Sequence, residues 1–496
     1  MGNQIGLFDL KKLLIINFSL LILISCSIQQ KISKSAKQVI NDSSLVAAHL
    51  GISLYEPASG KYWYNYQGDK YFVPASNTKL PTCYAAMKYL GDSLVGLRYG
   101  FANDNETVGS LVAIQPTGDP TFLHQDFKQQ SVFNFLKEQT KNRNFSWALM
   151  DTIWKDDKWG SGWSWNDYDA DYMAERSTMP IFGNVINIKL KNVPDRHIDQ
   201  SLRRPTYNVF KTQAHYFDSL INSDFGIESN FMYWNDETVF SKDLHWSVKR
   251  KLDENKFEIV EGRNKFTSVN FPFVTNGSQT ASWIIQDSLK VDFGLLSSGG
   301  DDTTFIYTCP SCRRRKVIIK KWHSIHSQPT DSLLKPMMHH SDNFFAEQTL
   351  LMVSNERLGT MNDEKIIDTL LKTDLKDLPQ KPRWVDGSGL SRYNLFTPQD
   401  FVAILKKMKN EFGMERIKVI LPTGGTGTIS NYYKADSNYI FGKTGTLSGV
   451  VAFSGFLYTK KGKLLIFSTL VNNHQASSTA VRRAVEKFIE EIRNKY

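Results

Sequence analysis

Cysteine is scarce in this sequence, and its scarcity excludes one class of fold. The 496 residues include four cysteines, too few for the disulfide framework of a small secreted domain. Cys309 and Cys312 form a lone C-x-x-C pair, for which a local disulfide or two unpaired thiols is the favoured interpretation. A zinc site completed by His323 and His326 is the less favoured alternative, because the spacing is short for a Cys2His2 set.

A strong excess of one charge is also absent. Lys and Arg number 60 and Asp and Glu number 50, for a formal net charge of +10, which is thin for a dedicated nucleic-acid-binding protein. The longest basic cluster, residues 313–316, runs directly into a strand-like apolar segment. We therefore interpret this cluster as a solvated strand edge and predict no nucleic-acid partner.

Internal repeats and low-complexity tracts are lacking as well. The chain has a mass of 56.7 kDa, with 41% hydrophobic and 12% aromatic residues, enough to bury large cores. This composition excludes a disordered chain, and the length excludes a single small binding module. We expect two to four domains.

No apolar run is long enough to span a bilayer comfortably. Lys11 and Lys12 precede an apolar run of residues 13–24, which is typical of a secretory signal peptide. The run ends in Leu23-Ile24-Ser25-Cys26, which resembles the lipobox of bacterial lipoproteins. We predict a signal peptide at 1–25, lipidation of Cys26, and export to the periplasm or cell envelope with a lipid anchor. A plain cleaved signal peptide or an uncleaved anchor remains the alternative.

Strand and helix patterns divide the chain into three parts. Residues 46–55 and 62–66 are strand-like around a turn, and two apolar strands near the C-terminus, at 450–458 and 464–471, precede a helix with one apolar face. Between about 100 and 300 the sequence has many short strand signals and few helical periods. This pattern predicts one or more inserted, mainly β domains.

Ser76 and Lys79 form a Ser-x-x-Lys pair at the predicted start of a helix. Residues three apart share a helix face, which places the Lys79 amine within reach of the Ser76 hydroxyl. A lysine activates a serine only when the amine is neutral, and burial or a second nearby cation lowers a lysine pKa. Alone, the pair is weak evidence, because a helix cap followed by a solvated lysine is the simpler interpretation.

Two further motifs change that interpretation. Ser341-Asp342-Asn343 stands just before an apolar helix, and Lys443-Thr444-Gly445-Thr446 stands directly before the C-terminal strand pair. Each alone is typical of a turn or a cap. In this order and context, the three motifs match the signature of serine acyl-enzymes that act on penicillin and on D-alanyl peptides.

With these motifs the chain closely resembles the D-alanyl-D-alanine carboxypeptidase/endopeptidase family, the class C low-molecular-mass penicillin-binding proteins of peptidase type S13. Further stretches that look like family landmarks are Gly51-Ile52-Ser53-Leu54-Tyr55, Gly118-Asp119-Pro120-Thr121, Gly162-Trp163-Ser164-Trp165-Asn166-Asp167, Asp386-Gly387-Ser388-Gly389-Leu390-Ser391, Leu421-Pro422-Thr423 and Phe453-Ser454-Gly455. The resemblance therefore extends from about residue 45 to 490.

The resemblance implies an α+β fold. A penicillin-binding, β-lactamase-like serine transpeptidase domain, with an antiparallel sheet flanked by helices, would comprise residues 45–98 and 303–496. The mainly β insertion would occupy 99–302, and residues 26–44 would form a linker. The implied partners are peptidoglycan stem peptides and β-lactam antibiotics, and no cofactor or metal is implied.

The resemblance also implies roles in bond cleavage. Ser76 would be the acylated nucleophile and Lys79 its general base. Ser341 would relay a proton towards the leaving amine.

The remaining motif residues would bind the substrate. Asn343 would hold the substrate's amide side and help position the general base. Lys443 would supply the second cation and, with Thr444, bind the terminal carboxylate. The backbone N–H groups of Ser76 and Thr446 would form the oxyanion hole.

One departure and two alternatives accompany this prediction. Pro81 is expected to remove an N–H from the active-site helix and to kink it. Glu138-x-x-x-Asn142 superficially copies the deacylating motif of class A β-lactamases, but it precedes Ser341, whereas that motif should follow it. A peptidoglycan-binding or β-lactam-sensing lipoprotein without turnover is the alternative from another class.

Overall fold

The structure is a computed structural model that describes residues 32–102, 111–141, 145–190, 210–211, 233–234, 239–240, 247–261, 268–309 and 312–496. The predicted signal peptide at 1–25 and Cys26 lie outside these residues. Among the residues that are described, no helix combines the length and apolar character needed to cross a bilayer.

The first domain is built on a five-stranded sheet in the order β17-β18-β19-β1-β2, in which every neighbouring pair is antiparallel. Its strands are β1 (His49–Glu56), β2 (Lys61–Tyr66), β17 (Ile440–Leu447), β18 (Val450–Tyr458) and β19 (Leu464–Asn472). The predicted hairpin and the predicted C-terminal strand pair thus join in one sheet, because β1 pairs with β19.

Helices cover both faces of this sheet. The helices, numbered through the described chain, are α1 (32–40), α2 (Lys79–Tyr89), α3 (Ser131–Gln139), α4 (Gln279–Leu289), α5 (Thr330–His339), α6 (Asn343–Leu358), α7 (Asp363–Lys372), α8 (Pro398–Ile420) and α9 (Ser478–Lys495). Successive strand side chains point to opposite faces. Ala452 and Leu470 pack against α2, α5, α6 and α8, whereas Val451 and Val471 pack against α1 and α9.

The prediction of a linker at residues 26–44 is wrong for its described part. Residues 32–40 form α1, and Ile32, Ala36 and Val39 are buried at the spacing of one helix face. They share a core cluster with the apolar face of α9. The first domain therefore begins at or before residue 32.

The inserted region is built on a seven-stranded sheet in the order β15-β14-β13-β5-β4-β3-β16. Its strands are β3 (Ser93–Phe101), β4 (Leu111–Pro116), β5 (Ser146–Met150), β13 (Phe293–Ser298), β14 (Thr304–Thr308), β15 (Arg315–Ile318) and β16 (His323–Pro329). Helices α3 and α4 pack on it. Smaller sheets hold β6 (Val185–Leu190), β7 (Phe210–Lys211), β8 (Tyr233–Trp234), β9 (Val239–Phe240), β10 (Ser247–Arg250), β11 (Lys256–Glu261) and β12 (Ser268–Pro272).

This sheet corrects the predicted boundaries of the insertion. It begins with β3 at Ser93 and ends with β16 at Pro329, so the inserted region spans 93–329 rather than 99–302. The first and last strands pair with each other. The chain therefore leaves and re-enters the first domain at adjacent points, which the sequence pattern does not reveal because the pairing partners are far apart in sequence.

Three local predictions are decided by the fold. Pro81 is the third residue of α2, where backbone N–H groups lack helical partners in any case, and α2 continues to Tyr89, so the expected kink is wrong. Cys309 and Cys312 form the local disulfide, with their Cα atoms 5.3 Å apart, which contradicts the zinc alternative. The basic cluster at 313–316 is exposed on and beside edge strand β15, as predicted.

Candidate active site

Ser76 lies in a single 3-10 turn, Ala75–Thr78, that leads directly into α2. The Thr78 hydroxyl donates to the Ala75 carbonyl at 2.9 Å, which closes the turn. Ser76 is partly exposed, whereas Lys79, the first residue of α2, is fully buried. The turn therefore presents a reachable hydroxyl above a buried amine, as the Ser-x-x-Lys spacing predicts.

The Lys79 amine makes three hydrogen bonds. Its Nζ donates to Ser76 Oγ at 3.1 Å, to Asn343 Oδ1 at 2.6 Å and to the Ser388 carbonyl at 2.8 Å. These partners come from three separate parts of the chain. The amine is thus fixed in position beside the hydroxyl.

Burial lowers the pKa of Lys79 from its ordinary 10.5 to about 8, because an ammonium loses its hydration in the interior. Three carboxyl groups, Glu347, Asp342 and Asp386, act in the opposite direction and favour the charged amine. The sequence argument named burial or a second nearby cation as causes that lower a lysine pKa, and in the structure the loss of solvent is the largest cause.

The second motif forms the N-terminus of α6. Asp342 caps the helix by accepting from the Phe345 N–H at 2.8 Å, so Asn343 becomes its first residue and points to Lys79. The Asn343 amide nitrogen donates to the Tyr172 carbonyl, at 3.1 Å, from the inserted region. Ser341 stands just before the cap with a positive φ of 58°.

The third motif lies on β17. Lys443 is fully buried, and its Nζ donates to Ser341 Oγ and to the Thr444 carbonyl, both at 2.8 Å. The Thr444 hydroxyl donates to Thr428 Oγ1 at 2.7 Å, and the exposed Thr446 hydroxyl accepts from the Arg482 guanidinium.

Two glycines let backbone segments approach the serine turn. A Cβ on Gly445 would lie 2.6 Å from the Pro74 carbonyl oxygen and 3.0 Å from the Ser76 nitrogen. A Cβ on Gly389, whose φ is +88°, would lie 2.0 Å from the Ala75 carbonyl oxygen. Strand β17 and the 386–391 loop therefore contact the turn backbone to backbone.

The charge of Lys79 acts on the second lysine of the site, Lys443. Burial first, then Lys79 and Arg482, hold the pKa of Lys443 well below its ordinary value. Lys79 donates a hydrogen bond to Asn343, and Lys443 donates one to Ser341. Both amines therefore contact residues at the start of α6. The three predicted motifs are brought together in one site.

The sequence argument assigned no role to several residues of this site. Asp386 organises the 386–391 loop by accepting from the backbone of Gly389 and Ser391 and, at 3.0 Å, from the Trp163 indole. Glu347 accepts from the Ser388 N–H at 2.7 Å. Its position four residues after Asn343, on the same helix face, is the signal that could have identified it.

Glu138 and Asn142, the pair that resembles the deacylating motif of class A β-lactamases, have no described contact with this site. Glu138 is exposed on α3, where it pairs with Lys141 at 2.5 Å, and Asn142 lies outside the described residues. Among the residues with described positions, no group of three or more His, Cys, Asp and Glu side chains is arranged to hold a metal ion.

The chain is similar to known proteins along most of its length. The chain is 24% identical over 459 residues to the D-alanyl-D-alanine carboxypeptidase DacB of Haemophilus influenzae, with 87% of each chain covered. It is 22% identical over 476 residues to the penicillin-sensitive carboxypeptidase A of Dictyostelium discoideum, covering 88% of this chain and 85% of that one.

The fold is also that of a solved relative. The crystal structure of penicillin binding protein 4 from Haemophilus influenzae superposes with a TM-score of 0.66 at 21% identity, covering 93% of this chain and 98% of that one. This match confirms the predicted fold class. The family described as D-Ala-D-Ala carboxypeptidase 3 (S13) matches residues 32–216 and 302–495, and the chain therefore belongs to this family.

Proposed function

We propose that the protein is a serine D-alanyl-D-alanine carboxypeptidase/endopeptidase that cleaves peptidoglycan stem peptides through an acyl-enzyme on Ser76. The observation that carries this proposal is the Lys79 amine, fully buried and 3.1 Å from the Ser76 hydroxyl. A neutral amine in that position is a general base for a serine nucleophile. Family membership supplies the substrate class.

Acylation follows from this arrangement. Lys79 takes the Ser76 proton as Oγ attacks the carbonyl carbon of the penultimate D-alanine. The backbone N–H groups of Ser76 and Thr446 hold the oxyanion, a contribution of roughly 3 to 4 kcal/mol for each donor. The C–N bond then breaks, the Ser76 ester remains, and the proton taken by Lys79 passes through Ser341 to the departing amine, which leaves Lys79 neutral and Ser341 a hydroxyl again.

Deacylation returns the enzyme to its starting state. Water adds to the ester carbonyl and gives up a proton to the neutral amine of Lys79. The C–Oγ bond breaks, Oγ recovers a proton, and the shortened peptide leaves as a carboxylate. A penicillin would acylate the same Oγ by opening of its β-lactam ring, which is why we expect penicillins to inhibit the enzyme.

Substrate binding is proposed for the residues around the base. Lys443 and Thr444 would bind the terminal carboxylate, together with the exposed Thr446 hydroxyl. Asn343 has its oxygen on Lys79 and its nitrogen on the Tyr172 carbonyl. It would therefore hold the amide side chain of the peptide substrate while keeping the Lys79 amine in place.

The test is labelling with a fluorescent penicillin followed by mapping of the modified peptide. We expect label on Ser76, release of D-alanine from a pentapeptide, and loss of both in Ser76→Ala. Ser59→Ala, in the exposed turn between β1 and β2, is the matched control. Label without D-alanine release would favour the alternative of a sensing lipoprotein without turnover. Label on another residue would refute the site.

We further propose that the enzyme is exported and held at a membrane by a lipid on Cys26, after removal of residues 1–25. The support is the lipobox-like sequence and its position ahead of α1, which begins at residue 32. Cys26→Ser is expected to move the protein from the membrane fraction to the soluble envelope fraction. Unchanged membrane association would contradict the proposal.

A further inference from the structure

Glu347 is connected to the general base, Lys79, through the backbone of Ser388. It lies one helical turn beyond Asn343 on α6. Asn343 accepts directly from the Lys79 amine at 2.6 Å, whereas Glu347 Oε1 accepts from the Ser388 N–H at 2.7 Å, and the Ser388 carbonyl accepts from Lys79 at 2.8 Å. Two residues of one helix face therefore fix the same amine, one directly and one through Ser388.

Glu347 is held in the interior by a cation from the inserted region. It is 1% exposed, its second oxygen lies 3.6 Å from Arg176 Nη1, and that oxygen has no hydrogen bond of its own. Arg176, itself 1% exposed, also pairs with Asp363 at 2.6 Å and Asp156 at 2.8 Å. An unpaired carboxylate at this depth would be strongly disfavoured. Arg176 favours the ionised form of Glu347, although burial outweighs this effect and raises the pKa of the carboxyl.

The charged groups around Glu347 and Lys79 come from several elements. Those acting on one or the other are Arg176, Asp342, Asp363 and Asp386; Lys79 in turn acts on Lys443. Of the carboxyl groups that favour the protonated amine, Glu347 has the largest effect. Burial raises the pKa of Glu347 itself to about 8, the range in which Lys79 loses its proton.

We propose that Glu347 is a positioning residue for acylation, which fixes the Ser388 carbonyl on the Lys79 amine and whose charge sets how readily that amine gives up its proton. Arg176 links the inserted region to this function. The inference rests on the proposed function, because it concerns the base of that reaction.

Two substitutions separate the two effects. Glu347→Gln keeps an oxygen for the Ser388 N–H but removes the charge, and Arg176 retains its pairs with Asp363 and Asp156. Glu347→Ala removes both. Glu356→Gln is the matched control, since this residue lies on the same helix but pairs with Arg98 at 2.6 Å.

The measurement is the rate of acylation by a fluorescent penicillin between pH 5 and 10. For Glu347→Gln we expect a plateau rate near wild type and an acid limb moved down by roughly half a pH unit, because the glutamine cannot acquire the negative charge with which Glu347, as it ionises near pH 8, favours the protonated Lys79 amine. For Glu347→Ala we expect the same direction of shift and a plateau roughly tenfold lower or more, because the carbonyl that positions the amine is released. Glu356→Gln should match wild type.

The outcomes distinguish the inference from the proposed function. A wild-type protein that is folded and not labelled refutes the proposed function. Normal wild-type labelling with an unshifted limb in Glu347→Gln refutes the inference alone, and so does an unchanged plateau in a folded Glu347→Ala. If the alanine variant does not fold, the limb of the glutamine variant decides the matter.

Discussion

Acylation should depend steeply on pH below about 8, because the neutral form of Lys79 is the reactive one. Burial lowers its pKa from 10.5 to about 8, a difference that corresponds to roughly 3 kcal/mol. At pH 7 roughly one amine in ten is then neutral, against roughly one in three thousand for a solvated lysine. The surroundings of Lys79, with burial as the largest cause, thus raise the fraction of neutral amine by a factor of roughly 300.

The sign of the pH dependence follows directly. Below the pKa of Lys79, each fall of one pH unit leaves about a tenth as much neutral amine. The second-order rate of penicillin acylation should therefore fall roughly tenfold for each unit. Lys79→Arg, whose guanidinium stays charged, should lose acylation at all pH values, whereas Lys88→Arg, a half-exposed position of the same helix, should keep it. The assay is stopped-flow or gel-based labelling over pH 5 to 10. A rate that is flat from pH 5 to 8, or an active Lys79→Arg, would refute the reasoning.

Two further predictions concern the interior around the site. Arg176→Met should destabilise the fold by about 3 to 5 kcal/mol, because it leaves three buried carboxyl groups without their cation. Urea unfolding measures the loss, and Lys372→Met, which breaks an exposed ion pair, is the control. Equal stability of the two variants would contradict the prediction. Gly445→Ala should lower the acylation rate roughly tenfold or more, because the added Cβ would lie too close to the Pro74 carbonyl oxygen and the Ser76 nitrogen. An alanine variant with the wild-type rate would show that β17 can move away without consequence.

Local patterns in the sequence were sufficient where neighbours in the chain decide the structure. The Ser-x-x-Lys spacing placed a hydroxyl and an amine on one turn. Apolar runs predicted β18 and β19, and apolar residues at helical spacing predicted the buried face of α9. The linker prediction failed at α1, although Ile32, Ala36 and Val39 have helical spacing. Three apolar residues are too few to predict a helix by themselves, and the α9 surface on which they pack is distant in sequence.

Contacts between distant segments lay beyond such patterns. The pairing of β3 with β16, which sets the true limits of the insertion, joins strands more than 200 residues apart in sequence. The interior network of Arg176, Glu347 and Ser388 combines three segments that are far apart in sequence, and no local pattern indicates that they meet.

The sequence by itself determined three motifs whose order identifies the family, and it predicted that two serines, two lysines, an asparagine and two threonines take part, because motif chemistry is local and is written in consecutive residues. The tertiary structure alone decided why the base is reactive, since a lysine loses its proton through burial, and burial depends on chain segments hundreds of residues away. It also decided that a carboxylate and an arginine from separate domains stand behind that base, a contact that no local spacing encodes.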